Sequence, residues 1–206
     1  MTFDARRTLV AATRRSVKCP NVASSSSLTS TKPSPTWRRW PGGSRRVGAP
    51  GHLAATWFAS LLRDGFALAA TGRQQRFSRI GVGALRTVLT GAGITDDLDG
   101  KAEHIIAGFA HLGLHPDVAD GVRAMRERGL RLVTLTNGST QVAEALLATA
   151  GIRDEFERLL SVEDAARWKP APEAYQHAAR SCQVPTERMI LVAAHAWDID
   201  GPSTPA

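Results

Sequence analysis

Apolar residues are scattered without rhythm until about residue 53, and from there they recur at helical spacing. Leu53, Trp57, Leu61, Leu62, Phe66 and Leu68 mark one helix, with Gly72 as its stop. A second helix is predicted over Phe77 to Leu89. A third follows the candidate caps Asp96 and Asp97 and carries Ile105, Ile106 and Phe109. No strand interrupts these three. Beyond them the period alternates. Pro116 opens a helix that runs through Arg128 to Gly129, and Leu130 to Thr136 reads as a buried strand. A helix from Gln141 to Ala150 and a short strand from Arg158 to Val162 follow. Then come a helix from Pro172 to Cys182 and a last strand from Met189 to Ala193. Helices alternating with apolar strands predict an α/β domain with a parallel sheet, preceded by a helical insert.

Residues 10–50 have a different character. They are rich in Ser, Arg, Pro and Gly, and carry the run Ser24 to Ser27 and the stretch Trp37-Arg38-Arg39-Trp40-Pro41-Gly42-Gly43. Neither helical nor strand periodicity survives there, and so little apolar surface cannot offset the entropy of ordering. A disordered linker, an Arg- and Ser-rich targeting peptide and a stretch read from a shifted coding frame all fit that composition. Charge follows the same division. Residues 1–50 hold ten Lys/Arg against the single acid Asp4, a net of +9, so the other 156 residues carry −2 of the chain's +7. A near-neutral folded part offers no basic groove, which argues against nucleic acid as a partner. The longest apolar stretch, Leu53 to Ala70, is broken by Arg63 and Asp64, which argues against a membrane span. Two distant cysteines, Cys19 and Cys182, suggest neither a disulfide framework nor a zinc site, so a cytoplasmic setting is expected.

Ligands of open parallel sheets bind at the carboxyl ends of the strands, so the residues there are the candidates for chemistry. After the first clear strand comes Thr136-Asn137-Gly138-Ser139. Its amides and the Thr136 hydroxyl suit an anion, and equally an ordinary turn capped by Ser139 or Thr140. After the second comes Arg167-Trp168-Lys169-Pro170, then Tyr175. Lys169 presents a cation either to a site or to solvent. After the third comes Ala194-His195-Ala196-Trp197-Asp198. Asp198 can orient the lysine and a water, or cap a helix, and His195 can serve catalysis or simply pack in a loop.

In order and spacing, Thr136-Asn137-Gly138-Ser139, Lys169-Pro170 with Tyr175, and Ala196-Trp197-Asp198 are similar to the second, third and fourth motifs of type II 2-haloacid dehalogenases, within the haloacid dehalogenase superfamily. Leu114-His115-Pro116-Asp117-Val118 resembles the return from that family's helical cap into its core. Phe3-Asp4-Ala5-Arg6-Arg7-Thr8-Leu9 resembles its first motif. The resemblance implies a Rossmann-like core with an inserted helical cap. Residues 1–9 would supply the first core strand and nucleophile motif, 10–52 a low-complexity basic segment, 53–112 the cap and 113–206 the core. It implies hydrolytic removal of halide from short 2-haloacids to give 2-hydroxy acids, without metal or cofactor. Asp4 would be the nucleophile, Lys169 and Asp198 its catalytic partners, and Thr8, Thr136, Asn137, Tyr175 and His195 the substrate-binding residues. The implied partner is the small-molecule substrate, and a homodimer is open.

The resemblance also has departures. The family's cap arginine is replaced in Ala54-Ala55-Thr56-Trp57, with Arg63 the only stand-in on a similar helix face. Ala193, Ala194 and His195 stand where relatives carry Ser and Asn. The strand and helix that follow the fourth motif in the family are absent after Asp198, which predicts a truncated core. A catalytically inactive remnant is therefore the alternative reading. A phosphatase of the same superfamily is a weaker one, because Arg6 occupies the position of its acid and cannot donate and take back a proton near neutral pH.

Overall fold

A computed structural model describes residues 10–14, 47–193 and 195–201, the first group as backbone only. The first motif, with Asp4 and Thr8, lies outside the described residues. Before the sheet come α1 (Leu53–Ala70), α2 (Phe77–Gly91) and α3 (Leu98–Ala107), then a 3₁₀ turn at Gly108–His111. Their shared face buries Trp57, Leu61, Ile80, Leu85, Leu89, Ile105 and Phe109. Gly81 lets α1 and α3 close on α2: a Cβ there would meet Ile106 at 2.8 Å, and the Trp57 indole N–H donates to the Gly81 carbonyl at 2.9 Å. Asp97 caps α3 as expected, its carboxylate accepting from the Gly100 amide at 3.2 Å.

The alternating part follows as α4 (Val118–Glu127), β2 (Leu130–Thr136), α5 (Thr140–Thr149), β3 (Phe156–Ser161), α6 (Pro172–Cys182), β4 (Met189–Val192) and the short α7 (Ala196–Asp200). Pro116 does not open α4. It sits in a turn that the Val118 amide closes on the His115 carbonyl, and the helix starts two residues later than predicted. β3 begins at Phe156 rather than Arg158, because Phe156 already pairs with Leu132 and packs with Val122, Leu147 and Ile152. Helices cover both faces of β2. Leu132 meets α4 and α5, whereas Val133 meets Cys182 of α6. That double burial explains the nearly unbroken apolar run of β2.

A further strand, β1 (Val10–Arg14), completes the sheet in the order β3-β2-β1-β4, and this second-last member differs from the sequence reading. β1 is Val10–Arg14, inside the segment read as lacking strand character, and it fills the position expected for residues 1–9. It runs antiparallel to both neighbours, with Val10 opposite Thr134 and Val192, so the sheet is mixed rather than wholly parallel. β2, β3 and β4 still share one direction. Residues 47–50 also depart from expectation, since Val47 and Ala49 are buried against the helical layer.

Candidate active site

The carboxyl ends of β2, β3 and β4 converge on one edge of the sheet, beneath α1 to α3. β2 ends in the turn Thr136-Asn137-Gly138-Ser139. The Gly138 amide donates to the Thr136 hydroxyl at 2.9 Å, and Ser139 caps α5 by accepting from the Val142 amide at 3.4 Å. The turn thus caps a helix and also lines the cavity described below. Ser161, at the end of β3, fixes the turn from the side by donating to the Gly138 carbonyl at 2.7 Å.

Lys169 is held by its backbone before its side chain does anything. Its amide donates to the Asn137 Oδ1 at 3.0 Å, and its carbonyl accepts from the Asn137 Nδ2 at 3.3 Å. The preceding residues anchor the loop to the helical layer. Arg167 donates to the Ala69 carbonyl at 2.7 Å and Trp168 to the Gln75 carbonyl at 2.8 Å, while the Trp168 ring stacks on Phe77. The ammonium of Lys169 thus enters the protein along a fixed path and meets Asp198, Nζ to Oδ2 at 2.9 Å. The two residues are only 4% and 3% exposed. Tyr175 donates to the other carboxylate oxygen, Oδ1, at 2.7 Å. Both Asp198 oxygens are therefore occupied, and its side chain is not the helix cap that the sequence also allowed.

Burial shifts this cluster. Desolvation pushes the Lys169 ammonium below the ordinary lysine range, and the Asp198 carboxylate works against that shift. The Tyr175 phenol is pushed well above its usual value, first by burial and then by Asp198, so it stays a donor. Gly201 permits the arrangement, because a Cβ there would overlap the Tyr175 hydroxyl and ring.

A cavity of about 230 Å³ lies over the cluster. Its floor is Thr136 to Ser139, Lys169, His195, Trp197 and Asp198, and its roof is Phe58, Leu62, Phe77, Ile106, Phe109 and Leu112. Of the expected residues, Thr136, Asn137, Lys169, His195 and Asp198 line it together. Tyr175 does not: it sits behind Asp198 and donates to its carboxylate. Arg63 does not either. Its side chain is 71% exposed and pairs with Asp64 on the surface, because its helical position points away from the floor. Sequence reasoning missed Glu163, a lining residue just after β3 whose carboxylate stands 3.9 Å from Arg76. Its place at a strand end was the available signal. Among the described residues no three His, Cys, Asp or Glu side chains gather as for a metal ion, and no helix is long and apolar enough to cross a membrane.

Residues 38–202 match the family model described as "haloacid dehalogenase-like hydrolase". The chain belongs to that family. Among curated relatives of this haloacid dehalogenase-like hydrolase, the (S)-2-haloacid dehalogenase of Pseudomonas sp. (strain YL) is 32% identical over 167 residues, covering 79% of this chain and 67% of the relative. Haloacetate dehalogenase H-2 of Moraxella sp. (strain B) is 34% identical over 103 residues, 50% of this chain. The chain spans only about half of that relative's length, 46%. In three dimensions the chain resembles the L-2-haloacid dehalogenase of Xanthobacter autotrophicus with chloropropionic acid covalently bound. That match has a TM-score of 0.61 and 25% identity, and covers 69% of this chain and 57% of that one.

Proposed function

We propose that this chain is a hydrolase that removes halide from short 2-haloacids, giving 2-hydroxy acids through an aspartyl ester. The observation that carries the reading is the buried Lys169–Asp198–Tyr175 cluster beneath a small, apolar-roofed cavity. Relatives named for 2-haloacid dehalogenation support it, as does a similar structure holding chloropropionic acid covalently. In this reading helices within 53–112 form a cap over a core of 113–201. The setting is cytoplasmic, in keeping with the free buried thiol of Cys182, the substrate is the small-molecule partner, and a homodimer is the assembly to test.

Asp4 is the nucleophile in this proposal, and Thr8 is a substrate-binding residue. β1 runs antiparallel, so Val10 lies next to Thr134 and Val192, on the edge that carries the cavity. Asp4 precedes Val10 by six residues, a reach of at most about 20 Å. The Asp4 carboxylate displaces halide from the C-2 carbon and forms the ester. Lys169 supplies positive charge for the carboxylate groups, and the Thr136 hydroxyl and the remaining Asn137 N–H hold the substrate carboxylate. Water then attacks the ester carbonyl, its oxygen stays on Asp4, and the 2-hydroxy acid leaves with a proton released. Asp198 is already engaged, since Lys169 and Tyr175 each bond one of its oxygens. Of the other basic groups on the wall, Glu163 faces Arg76, and the His195 imidazole is left to take the proton from the water.

Halide release from L-2-haloacids is the test, run with and without chelator and beside a phosphate-release assay. Asp4→Asn should abolish halide release, and a single turnover in heavy-oxygen water should label Asp4. Undiminished activity in a chain that starts at Gly51 would remove Asp4 from the mechanism. Magnesium-dependent phosphate release exceeding halide release would overturn the reading.

A further inference from the structure

The connection between α1 and α2, residues 71–76, reaches both arms of the cavity floor although none of its residues lines the cavity. Gln74 is half-buried and donates from Nε2 to the Val162 carbonyl at 2.6 Å, a contact between residues 88 apart in sequence. Val162 is fully buried, and its carbonyl also accepts from the Ala165 amide at 3.0 Å. Both neighbours of Val162 serve the floor. The Ser161 hydroxyl donates to the Gly138 carbonyl at 2.7 Å, in the turn after β2, and Glu163 lines the cavity. One residue further along the connection, the Gln75 carbonyl accepts from the Trp168 indole at 2.8 Å, and Trp168 directly precedes Lys169. The Trp168 ring lies between Gly65 of α1, where a Cβ would overlap it, and Phe77 of α2, which stacks on it at 6.1 Å.

Two consecutive residues of one short connection therefore hold the turn after β2 and the loop that carries Lys169. Asn137 ties those two arms to each other through the Lys169 backbone. That tie fixes their spacing, and it does not fix where the pair stands relative to the helical layer. Gln74 and Gln75 supply the third fixed point. Side chains must do this, since residues 73–76 belong to no helix or strand and so bring no ladder of their own. We propose that Gln74 is a positioning residue, acting through Val162 and Ser161 on the Asn137 turn and through Gln75 and Trp168 on Lys169. Its effect on turnover rests on the dehalogenase reading, whereas its effect on Lys169 does not. A misplacement of about 1 Å at a reacting centre costs about 100-fold in rate, so a bond outside the cavity is enough to register in kcat.

The test uses the full chain with Gln74→Met, which keeps the length and loses the donor, and Trp168→Phe, which keeps a stacking ring and loses the N–H. Thr71→Val is the control, because the Thr71 hydroxyl bonds to the Ala67 and Leu68 carbonyls within α1. Pulse acetylation with acetic anhydride, read by peptide mass spectrometry with Lys101 of α3 as internal reference, measures how freely Lys169 is reached. Gln74→Met and Trp168→Phe should each acetylate Lys169 about fivefold faster than wild type, the effect of losing one hydrogen bond, and Thr71→Val at the wild-type rate. In the same two variants kcat for halide release from L-2-chloropropionate should fall about tenfold or more, with KM within about twofold of wild type. Unchanged Lys169 labelling in Gln74→Met, or an equal rise in Thr71→Val or at Lys101, overturns the inference. Faster labelling with an unchanged kcat overturns it too, since the displacement then does not reach the chemistry. Faster labelling in a chain whose wild type releases no halide keeps the role of Gln74 in placing Lys169 and removes the dehalogenase reading instead.

Discussion

Replacing Lys169 by Met removes the cation from a carboxylate that is almost wholly buried. Asp198 would keep the Tyr175 hydroxyl on Oδ1 and lose the ammonium 2.9 Å from Oδ2. Breaking one side of a buried ion pair costs about 3–5 kcal/mol, because the remaining charge is neither solvated nor paired. A domain of this size is stable by about 5–15 kcal/mol, so the loss is a large fraction of the whole. At a typical urea m value of about 2 kcal/mol/M, the midpoint should fall by roughly 2 M. Asp198→Asn keeps the shape of the group and strands the ammonium instead. That cost should be smaller, because burial lowers the proton affinity of Lys169, so the ammonium left without its carboxylate can shed its proton and leave no buried charge. The double replacement leaves no buried charge, so it should cost no more than Lys169→Met alone, an interaction energy of about 2 kcal/mol or more. The sign with pH separates the singles. Lys169→Met should regain stability as pH is lowered and the carboxylate is neutralised, and Asp198→Asn as pH is raised and the amine is neutralised. Urea melts of the four proteins across pH measure all of this. Single costs that add to the double within about 0.5 kcal/mol would refute the coupling, and with it the structural basis of the site.

Other outcomes follow from single contacts. The Thr134 hydroxyl is buried with no hydrogen-bond partner among the described residues, so Thr134→Val should be neutral or stabilising by up to about 1 kcal/mol in a thermal melt. Gly65→Ala should destabilise by about 1–3 kcal/mol, since the new methyl would overlap the fully buried Trp168 ring that secures the Lys169 loop; a denaturation midpoint equal to wild type would refute that packing. Glu157 is held below its ordinary value of 4.5, chiefly by its hydrogen bond to Arg131, so the pair's contribution is present above that pH and is lost as pH falls through the lowered value. Comparing Glu157→Gln with wild type in acid melts should therefore show a modest difference at neutral pH that vanishes in acid, modest because both groups are partly exposed.

The helices and the strands β2, β3 and β4 were legible in the sequence because each carries its own period. An amphipathic stripe or an apolar run bounded by Gly or Pro reports burial locally, whatever lies next to it. The same holds for the chemistry beyond the strands, where Thr136 and Asn137 close β2 and Lys169 and Asp198 lie in the segments that follow β3 and β4, and all four share one cavity. The order of the sheet was not legible. Val10 to Arg14 has no alternation to announce it, and it becomes a strand by pairing with the exposed edges of β2 and β4, a property of those partners rather than of its own residues. Side-chain destinations were hidden for a similar reason. Asn137 clamps the Lys169 backbone and Tyr175 stands behind Asp198, contacts made between elements far apart in the chain, while Arg63 points to solvent because of how its helix sits on the rest of the protein. Sequence determined which groups reach the edge of the sheet. Only packing decided which of them touch, since a contact is fixed by the relative placement of two elements and no single element encodes it.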